Sequence, residues 1–303
     1  MQEHRSDAFF AYLKEREEVR LRKEAGLSVC FTEKKWTDDP ILSSYKFTNV
    51  RRHHDKTSMM LREMFYNDHF EDDRRSILMN CALYRYFGTW EFAKEAGWQE
   101  YDNFDFEGIK ELARQRLANR ERVFTGAYVI TNQGISAPKQ EVVIDYFLKP
   151  LHKATPSILL KAQTTQSWRE AAALMKPIPG FGGTGFMTKE ILLDTTYTGF
   201  WDNRLFTNSD GNFSYPSDWD EWTPIGPGAL RGAARVLGDD SAKPVSNPKA
   251  FSMIMWLYHG QENFSTLDFK LSPTDIQFGL CEFDKYERVR LGQGKPRSKY
   301  KVK

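Results

Sequence analysis

The sequence predicts an all-α protein, and three observations carry that expectation. Apolar residues recur three and four positions apart along most of the chain, the period of one helix face. No stretch alternates strictly between apolar and polar residues, as a half-buried strand would. No unit recurs at a period of about 20–50 residues, which excludes solenoids and propellers.

Taken in order, the first helix is expected over Ser6–Ala25, with Ser6 or Asp7 as its cap, Phe9, Tyr12, Leu13 and Val19 on one face, and Gly26 as its stop. A loop with Asp38-Asp39-Pro40 follows, because proline disfavours helix at the residue before it. From Ile41 the helical period resumes through Phe47 and Val50 to Met59, Leu61 and Phe65. Further helices are expected over Arg74–Phe87, Thr89–Ala96, Phe106–Ala118, Lys139–His152, Gln166–Met175 and Ala250–His259. Tyr101–Asn103, Thr125–Ala137, Asp239–Ser241 and Val245–Pro248 read as loops. Two Pro/Gly islands, 176–184 and 223–232, each lead into a helical pattern, and Thr195–Trp222 between them reads as an irregular surface region.

Composition bounds the function. The 303 residues are 40% hydrophobic and 28% charged, a globular balance with ample chain for a core. The longest apolar run, Met253–Tyr258, falls far short of the ~18 residues of a membrane span, so no membrane partner is expected. The start, MQEHRSDAFF, lacks the basic and apolar regions of a signal peptide. Cys30, Cys81 and Cys281 lie far apart with no metal-ligand spacing, so free thiols, a cytoplasmic setting, and neither metal nor cofactor are expected. Residues 285–303 hold eight Lys/Arg and one Glu, or +7, against a net charge of +2 for the whole chain, leaving −5 for the remainder. The expected organisation is a single helical body over 1–284 and a basic tail over 285–303. That tail is either a solubilising end or an arm for polyanions, and Tyr286 and Tyr300 add stacking surfaces for bases.

The most informative stretch is Leu174–Leu193, LMKPIPGFGGTGFMTKEILL. Gly180 and Gly185 have the separation of a phosphate-binding loop, but Phe186-Met187 follow where Lys and Ser/Thr are required, and no strand precedes them. The alternative is a helix–hairpin–helix at about 166–194. One helix ends near Met175, another starts near Thr184, Phe181 plugs between them, and the glycines let a phosphate approach the backbone at a helix N-terminus. An ordinary helical turn without a ligand has the same pattern.

The turn Ile178-Pro179-Gly180-x-Gly182 resembles the hairpin of helix–hairpin–helix DNA glycosylases, with Ile for Leu. In that family an aspartate lies about twenty residues beyond the last glycine, a spacing that falls on Asp202. The lysine of its lyase members is replaced by Thr184, and its four-cysteine iron–sulfur cluster is absent.

Three further stretches, Phe47-Thr48-Asn49-Val50-x-Arg52-x-x-Asp55, Gly226-Pro227-Gly228-x-x-x-Gly232 and Leu280-Cys281-Glu282-Phe283-Asp284-Lys285-Tyr286, resemble a group of phage DNA-hypermodification proteins. These are the α-glutamyl/putrescinyl-thymine pyrophosphorylases, or amino acid:DNA transferases, relatives of the helical domain of 5-hydroxymethyluracil DNA kinases. The resemblance spans about Glu15 to Tyr300, with Arg51 and His53 as departures. It implies a two-lobed, glycosylase-like helical fold and a substitution on duplex DNA in the bacterial host cytoplasm. A kinase phosphorylates 5-hydroxymethyluracil, and an amine, from an amino acid or a polyamine, then displaces phosphate or pyrophosphate.

That chemistry assigns roles. Asp202 and Asp55 are the candidate carboxylates that would take the proton of the attacking amine. Asn49, Arg52, Lys56, Arg204, Glu282, Lys285 and Tyr286 are the candidates for binding substrate and phosphate. Pro179, Gly180, Phe181, Gly182, Gly183 and Thr184 in the hairpin, with Gly228, Arg231, Lys295 and Arg297, are the candidates for touching DNA. Alternatives stay open residue by residue. Asp55 pairs with Arg51 or Arg52 on a helix surface, Asp202 caps Asn203–Phe206, His53-His54 is a solvated pair, and Trp201, Trp219 and Trp222 either pack or stack on an extruded base. A DNA glycosylase, or a non-catalytic DNA-binding partner of a kinase, remains the competing function.

Overall fold

The computed structural model describes residues 5–26, 36–126, 129–183, 185–208, 210–241, 243–296 and 298–300. In chain order these form α1 (Ser6–Glu24), α2 (Pro40–Ser44), α3 (Lys56–Leu61), α4 (Arg74–Phe87), α5 (Trp90–Ala96), α6 (Phe106–Ala118), α7 (Lys139–Glu141), α8 (Lys149–Thr165), α9 (Trp168–Met175) and α10 (Phe186–Thr195). Strands β1 (Arg204–Asn208) and β2 (Gly211–Tyr215) follow, then α11 (Pro227–Val236), α12 (Asn247–Phe264) and α13 (Pro273–Arg290). π-Helical turns extend α3 through Arg62–Tyr66 and join α7 to α8 through Val142–Leu148. The chain is mainly helical and divides into two compact units, Met1–Asp55 with Ile225–Lys303, and Lys56–Pro224. Among the described residues no helix is long and apolar enough to cross a membrane.

In the first unit, Phe9 and Leu13 of α1 bury against Ala229 and Ala233 of α11, Ile254 and Leu257 of α12, and Leu280 and Phe283 of α13. Helices α11 and α13 touch backbone to backbone. A Cβ at Gly232 would stand 2.0 Å from the Leu280 carbonyl oxygen, so only glycine admits this crossing. Helix α13 begins with a reciprocal cap between Ser272 and Asp275, with Pro273 at its first position.

The second unit is built around α4, which is buried on every side from Ser76 to Phe87. Its bounds follow from local chemistry. The Asp73 side chain accepts from Arg75 N at the start, and Gly88 adopts φ 65° at the end. Hairpin β1–β2 anchors to α10 through Ser214 N donating to Thr196 O, with Phe213 buried beneath.

Several expectations change. Strands 204–208 and 211–215 correct the reading that found no strand. The same hairpin removes Asp202 as a helix cap, and Phe200, Trp201 and Phe213 are buried, so 195–222 is not an irregular surface region. The helical pattern from Ile41 breaks after Ser44, because 45–51 are extended and only Arg52–His54 form a 3₁₀ turn. Arg5, not Ser6 or Asp7, occupies the N-cap of α1. The helix expected to end at His152 continues to Thr165 despite Pro156, and α12 runs longer at both ends than Ala250–His259. The basic segment expected from 285 begins as the last turns of α13.

Candidate functional site

Within the first unit, the segment after α2 is tied down from three directions. Arg16 of α1, a residue the sequence reading passed over, donates from Nε to Thr48 O at 3.0 Å and from Nη2 to Phe47 O at 3.1 Å and to Asn49 Oδ1 at 2.5 Å. Asn49 N donates to Asp55 Oδ1 at 2.9 Å, Asn49 Nδ2 donates to His54 O at 2.6 Å, and Arg52 donates to the other oxygen of Asp55. From α13, Glu282 Oε2 accepts from Thr48 N at 3.0 Å and from Lys285 Nζ at 2.9 Å, while Lys285 also donates to Lys46 O at 2.8 Å. Asn49, Arg52, Asp55, Glu282 and Lys285 thus form one network, as a shared site would require. Its observed bonds close the loop. Asp55 pairs with Arg52 across a 3₁₀ turn, and that turn also sets the rings of His53 and His54 4.3 Å apart.

Tyr286 lies one step away, donating to Asp39 Oδ2 at 2.6 Å; burial first, and then Asp39, raise its phenol well above the usual value. Asp284, within the same sequence motif, is fully buried. It receives Arg231 Nε at 2.7 Å and Arg235 Nε at 3.4 Å, with Arg288 a turn further on. Gly228 faces Cys281, whose Sγ would lie 2.2 Å from a Cβ there. The two residues of α11 expected to touch DNA are therefore turned towards α13, and the close approach that glycine permits is to a neighbouring helix. Lys295 is exposed, and Arg297 lies outside the described residues.

In the second unit, α9 and α10 are joined by a turn in which Pro179 and Gly183 are exposed and Phe181 is buried. Gly180 has φ 91°, and a Cβ on it would meet Tyr86 Oη at 2.5 Å and the Phe147 ring at 2.6 Å, so the position requires glycine twice over. Phe181 packs edge-on against Tyr86 of α4 at 5.5 Å and its carbonyl accepts from Thr188 Oγ1 at 2.8 Å. Gly182 O accepts from Gly185 N at 3.1 Å. The second helix starts at Phe186, two residues later than expected, and Thr184 is outside the described residues. Exposed Arg169 and Lys176 border a cleft of about 260 Å³ that Phe181, Gly183 and Trp222 also line.

Asp202 follows buried Trp201 at the edge of this unit. Its carboxylate is exposed, takes both guanidinium nitrogens of Arg74, one at 2.8 Å, and accepts from Gln166 Nε2 at 3.3 Å. The Arg74 hydrogen bond holds the carboxyl below its usual range. Arg204 pairs with Asp220 at 3.1 Å. Trp201 donates from Nε1 to Thr195 Oγ1 at 3.0 Å, and Trp219 and Trp222 pack on Trp168 at 5.0 and 5.6 Å, so these tryptophans are packing residues first. Lys56 opens a second cleft, of about 270 Å³, walled by Tyr84, Trp90, Phe124 and Arg122.

Sequence reasoning missed the buried charges of α10. Asp194 is wholly buried and takes Arg85 Nε at 2.6 Å and Nη2 at 2.5 Å, Tyr66 Oη donates to it at 3.2 Å, and Glu190 lies 3.6 Å from Arg85. Desolvation raises the Asp194 carboxyl against the pull of Arg85. The signal was present as charged residues at i and i+4 inside an otherwise apolar helix.

Comparison with known proteins follows this geometry. A family model described as "5-hmdU DNA kinase, helical domain" matches residues 3–295. A 5-hmdU DNA kinase of Bacillus phage SP10 is 25% identical over 304 residues, covering 92% of this chain and 44% of the relative. The chain therefore spans less than half the length of that curated relative. No solved structure matches.

Proposed function

The chain belongs to the family of the 5-hmdU DNA kinase helical domain, and from that premise we propose that it is a DNA-modifying transferase with a glycosylase-like helical fold. Its substrate is duplex DNA carrying phosphorylated 5-hydroxymethyluracil, made by a separate 5-hydroxymethyluracil DNA kinase. Its co-substrate is an amine from an amino acid or polyamine. The observation that carries the reading is the turn between α9 and α10, where exposed Pro179 and Gly183 are bordered by exposed Arg169 and Lys176. A glycine-rich, exposed turn that lets a backbone approach, with two cations beside it, suits a phosphodiester, and a family named for DNA kinases supplies the reason to expect one.

The target base must leave the stack to be reached, at a cost of a few kcal/mol. The cleft beside Lys56 has aromatic walls in Trp90 and Phe124 for a base, and Lys56 and Arg122 for its phosphate. In the reaction, the amine nitrogen bonds to the methylene carbon as the carbon–oxygen bond to phosphate breaks, and a carboxylate takes the ammonium proton. Asp202 is that carboxylate in this reading. Its exposure and negative charge attract the incoming ammonium, and Arg74 is the partner it must share.

Incubating the protein with phosphorylated hydroxymethyluracil duplex and mixed amino acids, then analysing nucleosides by mass spectrometry, tests the proposal. An aminated thymidine is expected. Abasic DNA would make the protein a glycosylase instead. Unchanged DNA, bound but not altered, would make it a non-catalytic DNA-binding partner of a kinase, the reading favoured by its match to a helical domain spanning 44% of a larger relative.

A further inference from the structure

The last described residues of the basic tail do not hang free. Lys46 N donates to Ser298 O and Tyr300 N donates to Ser44 O, both at 3.0 Å, so 298–300 pair with the segment after α2. This sets the Tyr300 ring 4.9 Å from Trp36 and its hydroxyl 2.7 Å from Lys23 Nζ. Lys23 Nζ also lies 4.3 Å from the centre of the Trp36 ring and 4.0 Å from that of Tyr300, and Lys46 Nζ lies 5.7 Å from the latter. Lys285 joins from α13 through Lys46 O. Beneath them is Arg16, whose Nε and Nη2 hold the loop while its buried Nη1 has no hydrogen-bond partner among the described residues.

Four cations and the Trp36 ring are thus gathered about Tyr300, with Lys23 on its hydroxyl. The carboxylate that comes nearest in the bonding, Glu282, is engaged by Lys285 and Thr48 N. The electrostatics agree with the geometry. Burial, with Arg16 and Lys46 nearby, lowers Lys23 to about 8, and Arg16, Lys46 and Lys285 all pull on the Tyr300 phenol that burial raises. An uncompensated cluster of this kind costs free energy unless an anion joins it, and three ammonium groups with one guanidinium suit a multiply charged tetrahedral oxyanion.

We propose that Arg16, Lys23, Lys46 and Lys285 form a phosphate-binding cradle that Tyr300 holds closed, its hydroxyl standing where a phosphate oxygen would meet Lys23. The phosphate is either a backbone phosphodiester of nucleic acid or a free phosphate or pyrophosphate ion. Two backbone hydrogen bonds and a ring contact make the Tyr300 latch short enough to be displaced. The cradle does not depend on the transfer reaction, because it requires only an oxyanion.

The test titrates the full chain at constant ionic strength with sodium pyrophosphate and, separately, with a short duplex DNA. Heat and tryptophan emission are read, with Trp36→Phe as the optical blank. Tyr300→Ala is expected to tighten oxyanion binding about tenfold by removing the latch, and Lys23→Gln to weaken it at least about tenfold, the scale of one charge-assisted hydrogen bond. Exposed Lys46→Gln, expected to weaken it severalfold, keeps the test decisive if Lys23→Gln disturbs the fold. A response to pyrophosphate assigns the cradle to the free ion, and a response to duplex alone assigns it to the phosphodiester. The proposal is overturned if neither ligand binds, if Tyr300→Ala gains nothing, or if the lysine variants bind like wild type.

Discussion

Among the described residues each unit of this protein buries one aspartate completely, and the two sites have opposite surroundings. In the first unit Asp284 lies among Arg231, Arg235 and Arg288, so cations outnumber the carboxylate. In the second, Asp194 has one arginine, Arg85, which it shares with Glu190 four residues earlier on α10. Equal burial therefore produces different chemistry. Asp284 is a staple that fixes α11 on α13 beside the contact at Gly232, whereas Asp194 is an acid whose desolvation is incompletely offset and whose carboxyl is raised. Burial sets the cost of a charge, and the surrounding count of partners decides whether that cost is met.

The largest expected effect breaks the first site. Asp284→Asn takes from Arg235, itself fully buried, the carboxylate buried beside it, and leaves it the partly exposed Asp240 carboxylate at 3.7 Å with Asp240 O and Gln293 Oε1 as acceptors. A loss of about 3–5 kcal/mol is expected in urea denaturation. A loss below 1 kcal/mol would show that Asp284 is no staple.

Asp194→Asn is expected to cost less, about 1–3 kcal/mol, since Arg85 keeps Glu190. Its signature is the pH dependence. The folded carboxyl is raised above its ordinary 3.8, so as pH falls the folded state binds a proton before the unfolded state does. The Asp194 contribution then grows more favourable as pH falls through the raised value towards 3.8, and levels off below it. The stability gap between wild type and Asp194→Asn should shift towards wild type as pH is lowered from above the raised value towards 3.8. A gap that stays constant, or shifts the other way, would remove the distinction between the two buried sites.

How much of this was legible in sequence follows the range of the interactions. Helices Arg74–Phe87 and Phe106–Ala118 were read to the residue, because Asp73 and Asp105 cap them and Gly88 stops the first. Helix 149–165 runs past the expected end at His152 and through Pro156, with a π-helical turn before it and Leu151, Ile158 and Ala162 buried on its inner face. The stretch from Phe47 to Asp55, expected within a helical pattern, is not helical before Arg52. What holds it extended is Arg16, more than thirty positions away, and no local pattern announces that bond. Glu282 and Lys285 were grouped with it through resemblance, and their bonds to Thr48 and Lys46 give that grouping a geometry. Asp194, Glu190 and Arg85 carried no motif, so only packing brings them into view.

An exposed third aspartate sharpens the comparison by separating stability from activity. Asp202→Asn breaks a surface pair with Arg74, so a loss below about 1 kcal/mol is expected. As the carboxylate of the proposed transfer, it should cost ~100-fold or more in turnover. DNA affinity should hold or rise slightly, because one negative charge near phosphates is gone. Transfer rate and melting temperature on this one variant decide the matter, and normal turnover takes Asp202 out of the reaction.

The smallest effect asks which unit carries the electrostatics of DNA binding. Deleting 291–303 removes the five cations Lys295, Arg297, Lys299, Lys301 and Lys303 from the first unit and leaves the turn of the second, with Arg169 and Lys176, intact. If DNA engages both, the log–log dependence of affinity on salt should become shallower by roughly 0.9 for each phosphate the tail had neutralised, without reaching zero. The low apolar content of the tail suggests that such a deletion does not abolish the folded state. The pairing of 298–300 with 44–46, and the tilted contact of Tyr300 with Trp36, are nonetheless packing that it removes. A modest fall in melting temperature should accompany the shallower slope, partly offset because Lys23 regains solvent. A slope identical to that of the full chain would assign the DNA contacts to the second unit alone and leave the tail as a strap on the first.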